Sequence, residues 1–114
     1  MVAPAVGEVV LVPFPFSDLS RSKVRPAVCL AEVGRGDWVL CQITSSPYGD
    51  PTAVPLDAPD FSSGGLLVAS FARPGKLFTA HAGLIVRSVG VLNPAAFARV
   101  SSAVIALLQP PASP

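Results

Sequence analysis

The sequence has few of the residues from which metal centres and acid–base sites are usually built. It contains one histidine, His81, and two cysteines, Cys29 and Cys41, which do not form a Cys-x-x-Cys pair. These residues cannot complete a four-ligand zinc site, and no acidic pair has metal-binding spacing on one predicted element. We therefore expect neither a metal nor another cofactor. A lone histidine in a small β domain is more often a turn or surface residue than a catalyst.

Long apolar runs and several common catalytic motifs are also missing. No stretch approaches the roughly 18 apolar residues of a membrane span, and the N-terminus has no basic region before an apolar run. A Gly-rich phosphate loop and a GxSxG elbow are absent, which argues against P-loop and serine-hydrolase chemistry. We expect a cytoplasmic protein without a membrane segment. Its cysteines are expected to be reduced, with a disulfide across a hairpin as the less favoured alternative.

Charge is scarce and unevenly distributed. Charged residues make up 13% of the chain, and the seven acidic residues all lie between Glu8 and Asp60. The basic residues that follow Asp60 are Arg73, Lys76, Arg87 and Arg99. The low charged content is compatible with self-association, and a local basic excess suits an anionic partner. Scattered, solvated charges are the alternative interpretation.

The length and the apolar pattern predict one domain over residues 1–109, followed by a flexible tail over 110–114. Strands are predicted before a single helix at 93–109, which has Asn93 as its N-cap and Pro94 in its first turn. This order indicates a mainly β fold with a C-terminal helix (α+β), built as a strongly curved sheet or barrel. The predicted strands cover 7–14, 25–33, 38–46, 53–56, 66–72, a short segment within 73–83, and 84–92.

Prolines mark the predicted strand ends. Pro13 and Pro15 should end the first strand or place it at an edge, because proline cannot donate to a ladder. Pro26 is expected at the start of the second strand, where no donor is needed. The pair Pro74–Gly75 predicts a turn. Phe14 and Phe16 alternate with the first two prolines and are candidates for core packing or for base stacking, with packing favoured for at least one of them.

A hairpin centred near Arg35 predicts which residues meet at its far end. Pairing across such a hairpin places Arg25 opposite Ser45 or Ser46, with Thr44 one step away. A planar guanidinium beside hydroxyl groups suits a phosphate, and a fixed arginine can stabilise charge on a pentavalent phosphorane. The alternative is that Arg25 caps strand carbonyls and faces water.

The segments "GEVVLVPFPFSDLSRSKVRPAVCL", "DWVLCQITSS" and "SFARPGKLFTAHAGLIVRSVGVL", with the closing helix, resemble the MazF/PemK family. The resemblance implies an SH3-like β-barrel of the MazF/PemK (CcdB-like) type and a homodimer. It also implies a metal-independent endoribonuclease toxin that cuts single-stranded RNA to 2′,3′-cyclic phosphate and 5′-OH ends, and a cognate antitoxin. The family's catalytic arginine and threonine fall on Arg25 and Thr44.

The expected RNA-binding set consists of small hydroxyl residues and cations near these two positions: Ser20, Arg21, Lys23, Ser45, Ser46, Arg73 and Lys76. The sequence departs from many family members in its first loop, which has no acidic residue after Asp18. A carboxylate from that part of the loop is therefore not available for proton transfer.

Two other functions remain open at the level of sequence. One is a non-catalytic SH3-like module that binds nucleic acid or peptide through the same loops. The other is a toxin of the same fold that poisons DNA gyrase.

Overall fold

Seven strands and one helix are present in the computed structural model, which describes residues 3–15 and 22–111. Every strand pair in this part of the chain is antiparallel, and the spatial order is β4-β6-β3-β2-β1-β7-β5. The sheet curls on itself, which confirms the predicted mainly β barrel architecture with a C-terminal helix. The elements are β1 (Glu8–Pro15), β2 (Ser22–Gly34), β3 (Asp37–Thr44), β4 (Val54–Leu56), β5 (Phe61–Gly64), β6 (Ser70–His81), β7 (Arg87–Leu92) and α1 (Pro94–Leu108).

Both faces of the central strands are buried, which explains why β1 and β2 are apolar without alternation. One face forms a core that includes Val9, Val28 and Val100 of α1. The other face forms a second core that includes Val12 and Leu40. The sheet is therefore the middle layer between two apolar clusters, and the helix covers only the first of them.

The prolines of β1 lie in the part of the strand that pairs with β2 but not with β7. The Leu11 carbonyl accepts a hydrogen bond of 2.8 Å from the Val86 N–H, so the polar groups of Leu11 face β7. Pro13 and Pro15 face the same side because the direction of backbone groups alternates along a strand. Pairing with β7 extends no further than Leu11 opposite Arg87, whereas β2 continues to pair as far as Pro15. The edge position predicted for these prolines is confirmed.

The prediction for residues 66–83 is wrong in two respects. Residues 66–69 are irregular, and β6 runs without a turn through Pro74–Gly75. Cys41 of β3 pairs with Leu77 of β6, and Ile43 of β3 pairs with Ala72. The residues of β6 between Ala72 and Leu77 therefore bulge out of the ladder. Proline and glycine in a strand often mark such a bulge, since proline cannot supply a ladder donor. We refer to residues 73–76 as the β6 bulge.

Strand β5, which the sequence did not predict, is held against β7 by glycines. Gly64 lies opposite Gly90, and a Cβ built on Gly90 would be 2.8 Å from both the Gly65 nitrogen and the Ser63 oxygen. Gly64 has a φ of +64°, and a Cβ there would overlap the Val89 carbonyl oxygen. Such an approach of two backbones is possible only without side chains. It fixes the start of the loop over residues 65–69.

The helix agrees with its prediction to within one residue at each end. Asn93 caps it, and its side chain accepts a hydrogen bond of 2.8 Å from the Ala96 N–H. Val100 and Val104, one helical turn apart on the same face of α1, are buried. The last turn is not covered, since Leu108 is 71% exposed. No helix in the described ranges has the length and apolar character needed to cross a bilayer.

We predict that Gly90→Ala destabilises the fold by about 1–3 kcal/mol, the usual cost of overpacking. The added methyl group would meet backbone atoms of the β5 segment, which cannot move aside as a flexible side chain would. Gly65→Ala is the matched control, because its Cβ would meet nothing within 4 Å. Urea denaturation measures both variants. Equal midpoints for the two would show that the close approach of β5 and β7 does not limit stability.

Candidate active site

The β2–β3 hairpin turns at Arg35 and Gly36, which have φ values of 57° and 81°. Two irregularities interrupt the ladder after this turn, and beyond them Ala27 lies opposite Gln42. The irregularities shift the pairing register relative to a hairpin of uniform pairing. The residues at the far end of the hairpin are therefore offset from the simple prediction.

The observed pairing of β2 with β3 ends at Ala27 and Gln42. Extending its register by two residues predicts that Arg25 lies opposite Thr44, rather than opposite Ser45 or Ser46. On its other side, Arg25 pairs with the buried Val12 of β1. Directly opposed residues of an antiparallel pair lie on the same face of the sheet. On this extended register, Arg25 and Thr44 are expected to be cross-strand neighbours.

Pro26 does not start β2 as predicted, because the strand begins at Ser22. It pairs with Leu11, whose polar groups face β7, so the backbone nitrogen of Pro26 is directed away from β1 and towards β3. The recorded pairing with β3 begins only at the next residue, Ala27. Proline is therefore tolerated inside this strand, and it fixes the backbone beside Arg25.

A cavity of about 510 Å³ lies at this end of the sheet. Its volume is within the range of roughly 300–1,000 Å³ that is typical of ligand sites. The apolar part of its wall comes from strands and from the loop after β5: Leu11, Pro26, Ile43, Leu66, Leu67, Val68 and Val89. The polar part consists of arginines and hydroxyl residues: Arg25, Thr44, Ser45, Ser70, Arg87 and Ser88.

The electrostatic character of this cavity is positive. Arg25 and Arg87 are charged, and among the described residues no aspartate or glutamate lines the wall. Guanidinium groups and hydroxyls donate hydrogen bonds to phosphate oxygens, and arginine can do so with two parallel bonds. The arrangement suits an anion, and in particular a phosphate or a phosphodiester.

Sequence reasoning missed Arg87 and Ser88 as cavity residues. They lie at the start of β7, which is distant in sequence from the hairpin but is the neighbour of β1 on the side away from β2. One signal was available, because Arg87 belongs to the segment after Asp60 that has no acidic residue. This signal indicates a local excess of positive charge, but it does not indicate where in the fold Arg87 lies.

The Thr44 hydroxyl is held by the backbone of Ser46. The Thr44 Oγ1 donates to the Ser46 carbonyl oxygen at 3.1 Å and accepts from the Ser46 N–H at the same distance. This local arrangement fixes the threonine side chain in the absence of a ligand. Ser45 lines the cavity with its neighbour Thr44, whereas Ser46 acts here through its backbone and does not line the cavity.

Other predicted RNA-binding residues lie away from the cavity wall. Arg73 forms a largely buried ion pair, in which its Nε donates to Asp50 Oδ2 at 3.0 Å. Lys76 is exposed on the β6 bulge, and Lys23 is exposed on β2. Ser20 and Arg21 lie outside the described residues.

Thr52 strengthens the Arg73–Asp50 pair. Its hydroxyl and its backbone N–H donate to Asp50 Oδ1 at 2.7 Å and 2.9 Å. These bonds, together with the Arg73 guanidinium, lower the pKa of the Asp50 carboxyl from 3.8 to about 2. The pair ties residues 50–52 to the β6 bulge.

His81 is far from the cavity. It pairs with Asp37 at the turn end of β3, seven residues from Thr44, which corresponds to roughly 23 Å along a strand. Its Nδ1 accepts a hydrogen bond of 2.9 Å from the Gly83 N–H. The position fits the turn role predicted for it.

The cysteines are free, buried, and on different faces of the sheet. Cys29 belongs to the core that contains Leu40, and Cys41 belongs to the core that contains α1. Burial raises the pKa of each thiol to about 12. Across the described ranges, no three histidine, cysteine or acidic side chains are grouped so that they could hold a metal ion.

Phe14 packs in the core, as favoured. It is 8% exposed, and its ring meets the ring of Phe78 edge-on with centroids 4.0 Å apart. This contact leaves little of the Phe14 ring for stacking on a base. Phe16 is outside the residues that the structure describes.

Over residues 5–108 the sequence matches the family of PemK-like, MazF-like toxins of type II toxin–antitoxin systems. The chain belongs to this family. The match covers most of the chain and includes both strands of the Arg25–Thr44 hairpin. A comparison with curated proteins gives no match.

Solved structures of MazF-type proteins share the fold of this PemK/MazF-like chain. The MazF structure (form I) from Deinococcus radiodurans is 21% identical, covers 95% of this chain and 98% of its own, and has a TM-score of 0.75. A mycobacterial endoribonuclease in complex with its cognate antitoxin is 19% identical, with coverages of 99% and 100% and a TM-score of 0.72. A MazE–MazF complex (form II) from D. radiodurans is 19% identical, with coverages of 95% and 97% and a TM-score of 0.74.

We predict that the stabilising effect of Asp50 depends on pH. Because folding lowers the pKa of this carboxyl, its contribution is present above about pH 4 and is lost as the pH falls towards 2. Asp50→Asn should therefore have a lower urea midpoint than the unmodified chain at pH 6, and the difference should shrink between pH 4 and pH 2.

Glu32→Gln is the control for this measurement, because it removes one exposed carboxylate from β2 without touching the pair. A difference between Asp50→Asn and the unmodified chain that stays constant across this pH range would contradict the prediction.

Proposed function

We propose that this PemK/MazF-like toxin is a sequence-specific endoribonuclease that cleaves single-stranded RNA without a metal ion. The products would be a 2′,3′-cyclic phosphate and a 5′-OH. The observation that carries this proposal is that Arg25 and Thr44 line the same cavity, whose described wall has no acidic residue. The shared fold with proteins described as endoribonucleases adds support.

RNA supplies its own nucleophile for this reaction. The 2′-oxygen attacks the adjacent phosphorus, the bond between phosphorus and the 5′-oxygen breaks, and the electron pair leaves with the 5′-oxygen. The protein therefore has to orient the phosphodiester and stabilise the charge that develops on the phosphorane. Both tasks suit a cavity lined by guanidinium and hydroxyl groups.

Arg25 is assigned to stabilise the phosphorane. It is partly buried between Val12 of β1 and the end of β3, and a charge held in such a position is stronger than one in open water. Thr44 and Ser45 hold the non-bridging oxygens of the phosphate. For this contact the Thr44 hydroxyl turns its proton away from the Ser46 carbonyl, which is its partner in the structure.

Proton transfer involves water in this proposal. The described cavity wall contains no carboxylate and no imidazole, and His81 lies at the other end of β3. The proton of the 2′-OH passes to solvent water, and the departing 5′-oxygen takes a proton from water. The first loop adds no acidic residue after Asp18, which agrees with this assignment.

The proposed assembly is a homodimer that is inhibited by a cognate antitoxin. Several large apolar side chains are exposed, including Leu67 at the cavity rim and Leu108 at the end of α1. A second copy of the chain would cover part of this surface. Related folds have been solved together with an antitoxin, and an acidic partner would suit the positive cavity.

The catalytic assignment is tested with unstructured RNA in the presence of EDTA. The unmodified chain should cut the RNA, and end mapping should show cyclic phosphates and give the cleavage sequence. Arg25→Ala should lose about 10²–10³-fold in rate, as is typical when a charge-stabilising donor is removed. Thr44→Val should also lose activity, since it keeps the shape and removes the hydroxyl.

Arg35→Ala is the matched control, because it removes the same charge at the opposite end of the hairpin. Equal cutting by Arg25→Ala and the unmodified chain would overturn the role of Arg25. Binding of RNA without cleavage would favour a binding module instead.

Sedimentation at micromolar concentration tests the assembly. The free chain should sediment at twice the monomer mass, and a monomer would contradict the dimer. The product of a neighbouring antitoxin reading frame should bind the dimer and suppress RNA cleavage. A product that binds without changing cleavage would contradict occupation of the RNA cavity.

A further inference from the structure

Arg87 lines the cavity from a strand that the catalytic assignment does not use. It is exposed at the first position of β7, and Ser88 beside it also lines the cavity. The function proposed above gives neither residue a role. Two polar groups at the rim of a cavity are a candidate contact for part of the ligand beyond the reacting phosphate.

The guanidinium of Arg87 has no acidic partner within the described part of the chain. Arg73 holds Asp50, and Arg99 holds Asp60 at 2.8 Å, so these two arginines stabilise the fold through their own carboxylates. No ion pair between described residues involves Arg87. Its side chain is exposed at the cavity mouth, where an anion can approach it.

The strand register separates Arg87 from Arg25. Arg87 lies opposite Leu11 of β1, whereas Arg25 lies opposite the next residue, Val12. The two arginines come from the strands on either side of β1, so their backbones are about 10 Å apart at the usual strand spacing. Successive residues of a strand also point to opposite faces, so the two side chains approach the cavity from different directions. This geometry favours the binding of a separate anionic group by each arginine over the binding of one phosphate by both.

We infer that Arg87, assisted by the Ser88 hydroxyl, binds a backbone phosphate of single-stranded RNA other than the one that is cleaved. The inference rests on the proposed function, because it takes the anion to be an RNA backbone. Arg87 is a positioning residue here. It holds the strand so that the reacting phosphate lies at Arg25 and Thr44, and it takes no part in the reaction.

A binding experiment tests this contact without requiring cleavage. The probe is a fluorescein-labelled 2′-O-methyl uridine 15-mer, which keeps the phosphates but has no 2′-OH to act as nucleophile. Affinity is measured by anisotropy over a series of salt concentrations. Loss of one phosphate contact to a single strand should reduce the slope of log affinity against log salt by about 0.7. Arg87→Gln should show this reduction and bind roughly tenfold more weakly at low salt.

Two further variants make the result specific. Arg35→Gln removes the same charge from the distant hairpin turn and should keep the slope of the unmodified chain. Arg87→Lys keeps the charge and should restore most of the slope, although it cannot form the two parallel bonds of arginine. Equal slopes for Arg87→Gln and Arg35→Gln would overturn the inference.

Kinetics with an RNA that contains the mapped cleavage sequence separate positioning from catalysis. Arg87→Gln should raise KM about tenfold and leave kcat within about twofold, whereas Arg25→Ala lowers kcat. A fall in kcat without a change in KM would place Arg87 at the reacting phosphate and overturn the inference.

The two proposals fail in different ways. If the unmodified chain cuts no RNA but Arg87→Gln still reduces the salt slope, the nuclease proposal fails and the phosphate contact remains. If RNA is cut and the slope does not change, the phosphate contact fails and the nuclease proposal remains.

Discussion

The pairing of β2 with β3 is the constraint on which the candidate site depends. Two irregularities in this ladder set the offset between the strands, and extending that offset beyond the last pair, Ala27 and Gln42, brings Arg25 opposite Thr44. A one-residue slip in a sheet also moves a side chain to the other face. The same slip here would separate the guanidinium from the hydroxyl and disturb both apolar cores. The geometry of the candidate site is therefore maintained by the same contacts that stabilise the sheet.

The second constraint is the distribution of charge. Two acidic residues of the described chain are paired with arginines, Asp50 with Arg73 and Asp60 with Arg99. Among the described residues, the wall of the cavity has two arginines, Arg25 and Arg87, and no aspartate or glutamate. A small protein with a net charge of +1 can in this manner present a locally positive cavity. Counting charges over the whole chain does not reveal such a site.

Much of the fold could be predicted from the sequence, and the errors have identifiable causes. The helix was predicted well because Asn93 and Pro94 are strong local signals. The β2–β3 hairpin was predicted correctly as a pair of strands, but its register was off by one or two residues because bulges have no clear sequence signature. Pro74–Gly75 gave a turn signal, yet in the fold these residues form a bulge within β6, which pairs with β3 on both sides of it.

Two features were missed altogether. Strand β5 was missed because its stability comes from the close approach of Gly64 and Gly90 rather than from β-forming side chains. Arg87 was missed because its place at the cavity depends on the pairing of β7 with β1.

The close approach of Gly64 and Gly90 anchors the following loop through backbone atoms rather than through side chains. The side chains of Leu66, Leu67 and Val68 in this loop line the cavity, and they also line a second, smaller cavity of about 190 Å³. Leu67 is fully exposed, so its replacement removes little buried surface. Leu67 and Val68, which is 61% exposed, can therefore change in size and polarity at small cost to folding, whereas Leu66 packs against the core. Under the proposed function, substitutions at Leu67 and Val68 would change what the loop presents to the ligand, while the strand pair that holds the loop stays as it is.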